Sequence, residues 1–375
     1  MYGQHDLEAV VKDQCKHLNP PQQADLLNTL ESYDVIFEGT LGEWPDVKVS
    51  LELKPNSKPY HARPYRIPHI YLDTFRKEIE RLVDIGVLEP FSGNSEWAAP
   101  CFIIPKKDGR VRFITDFRRL NDQLIRKPWP VPNIMDILQS IGKYTYVSAM
   151  DLSMGYYHFA LDAKSQDLCS MILPWGKYKL KRLPMGLHLS PDWFQQHLGN
   201  LFADLPWVYC YIDDILIVSN GTYEDHIHKL TQVLERLKSK NMQVNPRKSY
   251  FAVKQVEYLG YILTPNGLRP NPKKVRAIHE MQAPTKKSEL RGFIGLVNFY
   301  RYMWRRRAHT LQPLSSMSGN EKFKWTERHQ KAFELMKAII SHQVLLAFPD
   351  YSKPFQIYTD ASDYQLRSVI MQDKK

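Results

Sequence analysis

The sequence predicts an α+β fold, in which antiparallel strand pairs are combined with amphipathic helices. Ala99–Ile104 and Val111–Ile114 are apolar runs on either side of a basic turn containing Asp-Gly, a typical hairpin signal. Val208–Ile212 and Ile215–Ser219 form a second such pair and flank two adjacent acids. Between these pairs lie longer segments whose apolar residues recur at helical spacing. Strand pairs and helices in this arrangement indicate a mixed fold.

The other elements follow in chain order. Residues 1–50 are expected to form a small helical lead-in, and four prolines between Pro55 and Pro68 predict an extended segment. A second proline cluster at 127–132 predicts a stiff hinge between subdomains. The remaining predicted elements are a helix at Tyr71–Ile85 ended by Gly86, a strand at Tyr146–Asp151, a helix at Tyr223–Lys240, a strand pair within Val256–Leu263, a helix at Ser288–Arg305, a helix from Thr326 to about Ile340 and a strand at Phe355–Thr359.

Charge is unevenly distributed along the 375 residues, which carry a formal net charge of +11. Eleven basic and only two acidic residues lie between Leu268 and Arg307, and eight basic and three acidic residues lie between Pro105 and Lys127. Two such zones could bind one polyanion from two sides, although each could also be an ordinary solvated face.

Several classes of protein are excluded by composition. No apolar run approaches the roughly 18 residues of a membrane helix, and the start of the chain lacks the basic-then-apolar order of a signal peptide. The four cysteines lie far apart without a Cys-x-x-Cys pair, which argues against a disulfide framework and a cysteine zinc site. We therefore expect an intracellular protein.

Carboxylates at strand ends are the most informative feature. Asp213 and Asp214 lie between two apolar runs, and Asp151 ends a third. A turn would explain the adjacent pair, but if all three converge they repel one another unless cations neutralise them. Magnesium prefers oxygen ligands, and two such ions support phosphoryl transfer. The pattern therefore suggests nucleotide addition, provided that the strands are neighbours.

A resemblance to a known family accompanies these motifs. The sequence resembles reverse transcriptases of the long-terminal-repeat retrotransposon and retrovirus class, most of all the gypsy type, over about residues 48–370. Six motifs occur in the family's order: PKKDGRVRFITDFRRLN (105–121), VSAMDLSMGYY (147–157), RLPMGLHLSPDWFQ (182–195), YIDDILIVS (211–219), NPRKS (245–249) and VEYLGYIL (256–263).

The resemblance implies a right-hand polymerase with an antiparallel palm sheet backed by helices. Its expected parts are a lead-in (1–50), fingers (51–140), palm (141–262), thumb (263–322) and a connection with a partial ribonuclease H segment (323–375). The implied activity is that of an RNA-directed DNA polymerase. The implied partners are an RNA or DNA template with its primer and deoxynucleoside triphosphates, in a homodimer or a retroelement particle, without a membrane. The expected location is cytoplasmic, with access to the nucleus.

The resemblance assigns roles to individual residues whose positions match the family motifs. Asp151 and Asp213 would bind two Mg²⁺ ions, or Mn²⁺, with Asp214 less directly involved. Lys248 would protonate the leaving pyrophosphate, unless it is simply a solvated charge. Tyr156 would exclude a ribose 2′-hydroxyl, unless it is simply a core residue. The other implied contacts are Lys106, Lys107, Arg112 and Met185 for the triphosphate, with either lysine as the phosphate ligand, and Tyr258, Leu259, Gly260, Arg291 and Arg301 for primer and template.

Some positions depart from the family or have a structural alternative. Met185 occupies a position where many relatives carry Gln or Phe. Asp116 and Arg118 are expected to be structural partners. Of Tyr300, Tyr302 and Trp304, at least half should be core rather than base-stacking residues.

The C-terminal part matches the family only partly. IYTDAS (357–362) resembles the first strand of a retroelement ribonuclease H domain, with Asp360 as a metal ligand, but the later acids of that domain are absent. We therefore expect no ribonuclease H activity and interpret the sequence as a polyprotein fragment, a truncated gene model or a decayed copy. Two rival functions remain open: a silent relic or co-opted nucleic-acid-binding module, and another palm polymerase such as an RNA-dependent RNA polymerase.

Overall fold

The computed structural model describes residues 7–91, 93, 95–106, 109, 111–303, 307–319, 322–341, 345–362 and 365–372. The helices are α1 Leu7–Gln14, α2 Pro20–Glu31, α3 Leu72–Asp84, α4 Arg118–Gln123, α5 Ile134–Ser140, α6 Ala163–Leu168, α7 Ser190–Leu201, α8 Tyr223–Ser239, α9 Pro272–Glu280, α10 Lys287–Phe299, α11 Arg307–Ser318 and α12 Glu327–Ser341. The strands are β1 Lys48–Val49, β2 Leu88–Pro90, β3 Ala99–Pro105, β4 Val111–Thr115, β5 Tyr146–Asp151, β6 Ala160–Leu161, β7 Ser170–Leu173, β8 Gly176–Leu180, β9 Val208–Tyr211, β10 Asp214–Ser219, β11 Tyr250–Val253, β12 Val256–Tyr258, β13 Tyr261–Thr264, β14 Gly267–Pro270, β15 Gln356–Ser362 and β16 Gln365–Met371. Within these described ranges, no helix combines the length and apolarity needed to cross a membrane.

Two compact units make up the fold. The first consists of the chain up to Pro132 together with Ser148–Val253, and the second of Asn133–Val147 together with the chain from Lys254 onward. The first boundary thus falls at the end of the proline cluster at 127–132. The limits given above for fingers, palm and thumb stay a prediction.

The sheet at the centre of the first unit has the strand order β11-β5-β10-β9. Its strands β9 and β10 form an antiparallel hairpin in which Asp214 lies opposite Tyr211. Ile215, Leu216 and Ile217 are consecutive and fully buried, which shows that β10 is covered on both faces. The helix α8 packs against β10 with Leu230, Leu234 and Leu237 buried, as the helical spacing predicted.

A five-stranded sheet in the same unit has the order β2-β8-β7-β3-β4. The predicted hairpin of β3 and β4 is confirmed, and β3 also pairs in parallel with β7. The amphipathic helix α3 contacts β2 and β4, and its Phe75, Ile79 and Leu82 are buried. Gly86 ends this segment with a φ of 76°, a conformation that favours glycine.

The lead-in is helical, as predicted, and it covers the edge strand β11. Three of its side chains contact main-chain oxygens at this edge. They are Gln14 Nε2 with Ser249 O at 2.9 Å, Cys15 Sγ with Phe251 O at 3.1 Å and His17 Nε2 with Ala252 O at 2.8 Å.

The second unit contains the sheet β12-β13-β14 and the helices α9 to α12. Its core includes Phe293 and Phe333, whose ring centroids lie 4.6 Å apart. The prediction of a helix over Ser288–Arg305 was wrong at its end, because α10 stops at Phe299. The hydroxyl of Tyr261 donates a hydrogen bond to the Phe299 oxygen at 2.9 Å, so that this carbonyl is satisfied without a further helical turn.

Candidate active site

Three carboxylates meet at one end of the four-stranded sheet. Asp151 is the last residue of β5, Asp214 is the first residue of β10, and Asp213 lies in the turn between β9 and β10. Because β5 and β10 are neighbours, both ends lie side by side, and the Leu152 N–H donates to the Asp213 oxygen at 3.4 Å. The convergence that the sequence left conditional is therefore confirmed.

Burial and like charge act together on these acids. Burial is the main cause that raises the pKa of Asp214, to about 6, and the charges of Asp213 and Asp151 raise it further. Burial also raises the pKa of Asp151, with a smaller contribution from Asp213, while Lys248 opposes the shift. A cluster of this kind favours the binding of a cation.

Lys248 lies beside the cluster. Its Nζ is 3.3 Å from Oδ1 and 3.4 Å from Oδ2 of Asp151. The 3₁₀ turn Pro246–Lys248 that carries it is held against β5, because the Asn245 N–H donates to the Asp151 oxygen at 2.8 Å. The hydroxyl of Ser249 accepts a hydrogen bond from the Asp151 N–H at 3.2 Å and donates one to the Asn245 oxygen at 2.7 Å.

Carboxylate oxygens are the donors that Mg²⁺ prefers, and two carboxylates completed by substrate phosphates suit it. In the described part of the chain, however, no group of three or more His, Cys, Asp or Glu side chains is arranged to hold a metal ion by itself. The Lys248 ammonium meanwhile pairs with Asp151. The donor set therefore fits a divalent cation that binds together with substrate.

Tyr156 lies next to the carboxylates on the 3₁₀ turn Gly155–His158. Its ring meets Phe194 edge to face, with 5.3 Å between the centroids. Burial, with smaller contributions from Asp213 and Tyr211, raises the pKa of Tyr156 to about 12. The tyrosine is half-buried, so one part packs in the core while the rest borders the site.

Met185 lies in the loop between β8 and α7, and 48% of it is exposed. Asn121 holds this loop, because its Nδ2 donates to the Gly186 oxygen at 2.8 Å and its Oδ1 accepts from the His188 N–H at 3.0 Å. Gly186 has a φ of 96°, which requires glycine at this turn.

The basic hairpin carries the other predicted triphosphate contacts. Lys106 is half-buried just after β3, Arg112 is exposed on β4, and Lys107 lies outside the described residues. Asp116 and Arg118 are structural partners, as predicted, with hydrogen bonds of 2.8 and 2.6 Å between guanidinium and carboxylate. This contact lowers the pKa of Asp116 to about 2. The roles of Lys106, Lys107 and Arg112 stay predictions.

In the second unit, Tyr258, Leu259 and Gly260 lead into the turn between β12 and β13. Leu259 and Gly260 have φ values of 48° and 84°. Tyr300 anchors this turn by donating its hydroxyl hydrogen to the Gly260 oxygen at 2.8 Å. Only 1% of Tyr300 is exposed, so Tyr300 is one of the aromatic residues of this stretch that lie in the core, as was predicted for at least half of them.

Two arginines were predicted to contact primer and template in this unit. Arg291 donates from Nε and Nη2 to the Ser318 oxygen at the end of α11, at 3.0 and 2.9 Å. Arg301 lies over the Tyr302 ring, 4.7 Å from its centroid, and Tyr302 is 52% exposed. Both arginines thus have structural contacts, and their binding roles stay predictions. Trp304 lies outside the described residues, as does the side chain of Asp360.

The sequence interpretation missed Gln195, which contacts the turn that carries Asp213. This glutamine donates to the Cys210 oxygen at 3.2 Å and accepts from the Ile212 N–H at 2.7 Å. A signal was present, because Gln195 lies one residue after Phe194 and three before Leu198 on the buried face of α7. A polar residue at a core position usually has a specific hydrogen-bond partner.

Comparisons with known proteins identify two similar domains in this chain. Residues 104–263 match the family model described as "Reverse transcriptase (RNA-dependent DNA polymerase)", and residues 325–375 match the "RNase H-like domain found in reverse transcriptase". The chain is 33% identical to the retrovirus-related Pol polyprotein from transposon opus of Drosophila melanogaster, over 95% of this chain and 37% of that protein. It is 30% identical to the corresponding protein from transposon gypsy of the same organism, over 85% of this chain and 32% of that one. The chain thus spans about a third of these relatives.

Solved structures share the fold. A foamy viral protease-reverse transcriptase in complex with double-stranded DNA has a TM-score of 0.89 and 24% identity, over 96% of this chain and 65% of that one. Another complex with double-stranded DNA has a TM-score of 0.88, with 23% identity over 99% and 79% of the two chains. The predicted right-hand polymerase fold, with its sheets and helices, is therefore confirmed. The chain is therefore similar to reverse transcriptases over residues 104–263, and over most of its length it is similar to the Pol polyproteins of gypsy-type LTR retrotransposons.

Proposed function

We propose that this chain is an RNA-directed DNA polymerase that adds deoxynucleotides to a primer. The observation that supports this function most is the meeting of Asp151, Asp213 and Asp214 at neighbouring strand ends, with Lys248 beside them. In the proposed reaction, the primer 3′-hydroxyl gives up its proton to solvent, and its oxygen attacks the α-phosphorus of the triphosphate. A phosphodiester bond forms, the bond to the bridging oxygen breaks, and pyrophosphate leaves.

Reverse transcriptases in general depend on divalent metal ions. Here Asp151 and Asp213 would hold two Mg²⁺ ions, or Mn²⁺, with Asp214 acting less directly. When bound, such ions activate the attacking hydroxyl and stabilise the leaving oxygen. Burial raises the pKa values of Asp151 and Asp214, and the neighbouring carboxylates raise them further. A bound cation would favour the charged form of both groups, which supports this assignment.

The chain's own residues have separate tasks in this proposal. Lys248 donates a proton to the departing pyrophosphate once its pairing with Asp151 is released. The half-buried ring of Tyr156 occupies the space where a ribose 2′-hydroxyl would otherwise fit, which selects deoxynucleotides. The exposed Met185 packs against the incoming nucleotide, and Lys106 or Lys107, with Arg112, binds its phosphates.

Template and primer are the proposed macromolecular partners. The net charge of +11 and the basic stretch at 268–307 favour contact with phosphates. Solved relatives of the same fold are in complex with double-stranded DNA and with an RNA/DNA hybrid. We further propose a cytoplasmic location, in a retroelement particle or as a homodimer, with access to the nucleus.

Primer extension tests the proposal. The purified chain is given an RNA template with a DNA primer, deoxynucleotides and either Mg²⁺ or Mn²⁺. We expect extension by the unmodified chain and a loss of at least a hundredfold in Asp213→Asn, at unchanged affinity for template–primer. The matched control is Asp167→Asn, because Asp167 is an exposed acid on α6.

Each alternative has its own signature in that assay. A folded chain that binds template–primer in a salt-dependent way but never extends it would be a nucleic-acid-binding module. A preference for ribonucleotides would indicate an RNA polymerase. Extension by Asp213→Asn at the unmodified rate would refute the assignment of the metal site.

A further inference from the structure

Gln195 connects a helix to the backbone of the turn that carries Asp213. The glutamine lies on α7, and 5% of it is exposed. Its Nε2 donates to the Cys210 oxygen at 3.2 Å, and its Oε1 accepts from the Ile212 N–H at 2.7 Å. One side-chain amide therefore binds the main chain on both sides of Tyr211, immediately before the catalytic acids.

The backbone at this turn is strained. Ile212 has a φ of 56°, in the left-handed region that L-residues rarely adopt and that is most unfavourable for β-branched side chains. Such a conformation persists only where its surroundings impose it. Asp213 is the next residue, so the direction of its carboxylate depends on the backbone of Ile212.

We propose that Gln195 is a positioning residue, which holds Ile212 in the left-handed conformation and thereby fixes the Asp213 carboxylate beside Asp151. This inference rests on the proposed polymerase function. Gln195 does more than satisfy a buried amide, because both hydrogen bonds act on a backbone segment that keeps an unfavourable conformation at Ile212. Without them, the turn relaxes and the carboxylate leaves its position.

The first test removes the hydrogen bonds but keeps the size of the side chain. Gln195→Met has a similar length and can form neither bond. The matched control is Gln166→Met, because Gln166 is a half-buried glutamine of the same unit whose Nε2 donates to the Leu161 oxygen at 2.9 Å. We expect kcat for extension to fall at least tenfold in Gln195→Met and to stay within twofold in Gln166→Met. The Kd for template–primer should stay within twofold in both.

A rescue experiment separates positioning from general stabilisation. Glycine adopts a positive φ without steric cost, so a turn with Ile212→Gly needs less support. In the double variant Gln195→Met/Ile212→Gly, kcat for extension should recover at least half of the decrease in its logarithm that Gln195→Met alone causes. Failure of this rescue, or extension by Gln195→Met at the rate of Gln166→Met, would overturn the proposal.

Hydrogen exchange gives a readout that requires neither activity nor a variant. In the unmodified chain, the Ile212 amide should exchange at least tenfold more slowly than an unprotected amide, because it donates to Gln195. Exchange at the unprotected rate would contradict the proposal even if Gln195→Met failed to fold. If the unmodified chain extends no primer, the polymerase function fails, and a comparison of Ile212 exchange in the unmodified chain and in Gln195→Met still decides whether Gln195 holds the turn.

Discussion

The ammonium group of Lys248 lies within 3.4 Å of both carboxylate oxygens of Asp151. The proposed proton donor is therefore paired with a proposed metal ligand. If Asp151 held a divalent cation, that cation would compete with this ion pair, and Lys248 could then interact with phosphate. Lys248 would thus neutralise Asp151 before substrate binds and act as the proton donor afterwards.

Two substitutions separate the roles of Lys248. Lys248→Met removes both charge and proton, and we expect the single-turnover rate of incorporation to fall about a hundredfold. Lys248→Arg keeps a cation near Asp151 but holds its proton too tightly to donate it, so its rate should fall nearly as much. Full activity of the arginine variant would contradict general-acid catalysis and leave only an electrostatic role.

Asp214 should destabilise the metal-free protein above pH 6. Its pKa is raised to about 6 in the folded state, so its contribution to stability is complete below about pH 4 and is lost as the pH rises through 6. Asp214→Asn stays uncharged and should be more stable than the unmodified chain by about 2 kcal/mol at pH 7, with little difference at pH 4. Denaturant unfolding in a chelator measures this. A difference that does not depend on pH, or one matched by Asp167→Asn, would contradict it.

Tyr156 should control the choice of sugar. Tyr156→Ala opens space next to Phe194, and we expect the preference for deoxynucleotides over ribonucleotides to fall at least tenfold, which corresponds to about 1.4 kcal/mol. Tyr156→Phe keeps the ring and should keep the preference. Competitive incorporation of paired nucleotides measures both, and an unchanged preference in Tyr156→Ala would make the residue purely a core tyrosine.

Tyr300 should stabilise the second unit through its hydroxyl. This group donates to the Gly260 oxygen and accepts from the Asn271 N–H at 3.1 Å, in a buried environment. Tyr300→Phe leaves both partners unsatisfied and should lower the free energy of unfolding by about 2 kcal/mol. Tyr302→Phe is the control, since Tyr302 is half exposed. Thermal denaturation measures the stability of both variants. Equal stability of the two would show that the buried hydroxyl contributes nothing.

Sequence patterns predicted the elements whose stability is mostly local. The apolar runs around Asp213 and Asp214 predicted the hairpin of β9 and β10. Helical spacing predicted the bounds of α3 and α8 to within one residue. The strands β7 and β8 were not predicted, because β7 has only four residues and Lys177 and Lys179 interrupt the apolar pattern of β8. Their place in the sheet comes from pairing with β2 and β3, which a local pattern does not contain.

The candidate active site shows the same limit. Asp151 and Asp213 could be found from strand ends and motif order, whereas their proximity depends on the pairing of β5 with β10. Gln195 and Ser249 form hydrogen bonds with backbone atoms of segments distant in sequence, and no local sequence pattern predicts such contacts. The end of α10 was missed for a related reason, since Tyr261 satisfies the Phe299 carbonyl from another element.

The covering of β11 by the lead-in has a consequence for the order in which the chain folds. The hydrogen bonds of this covering join residues about 235 positions apart in the sequence. They link Gln14 to Ser249, Cys15 to Phe251 and His17 to Ala252. On a ribosome, this edge of the sheet cannot close until nearly the whole first unit has been synthesised. Contacts of such large sequence separation slow folding, because the entropy of a long loop is lost before they form. Until then, the helix α1 cannot pack against β11.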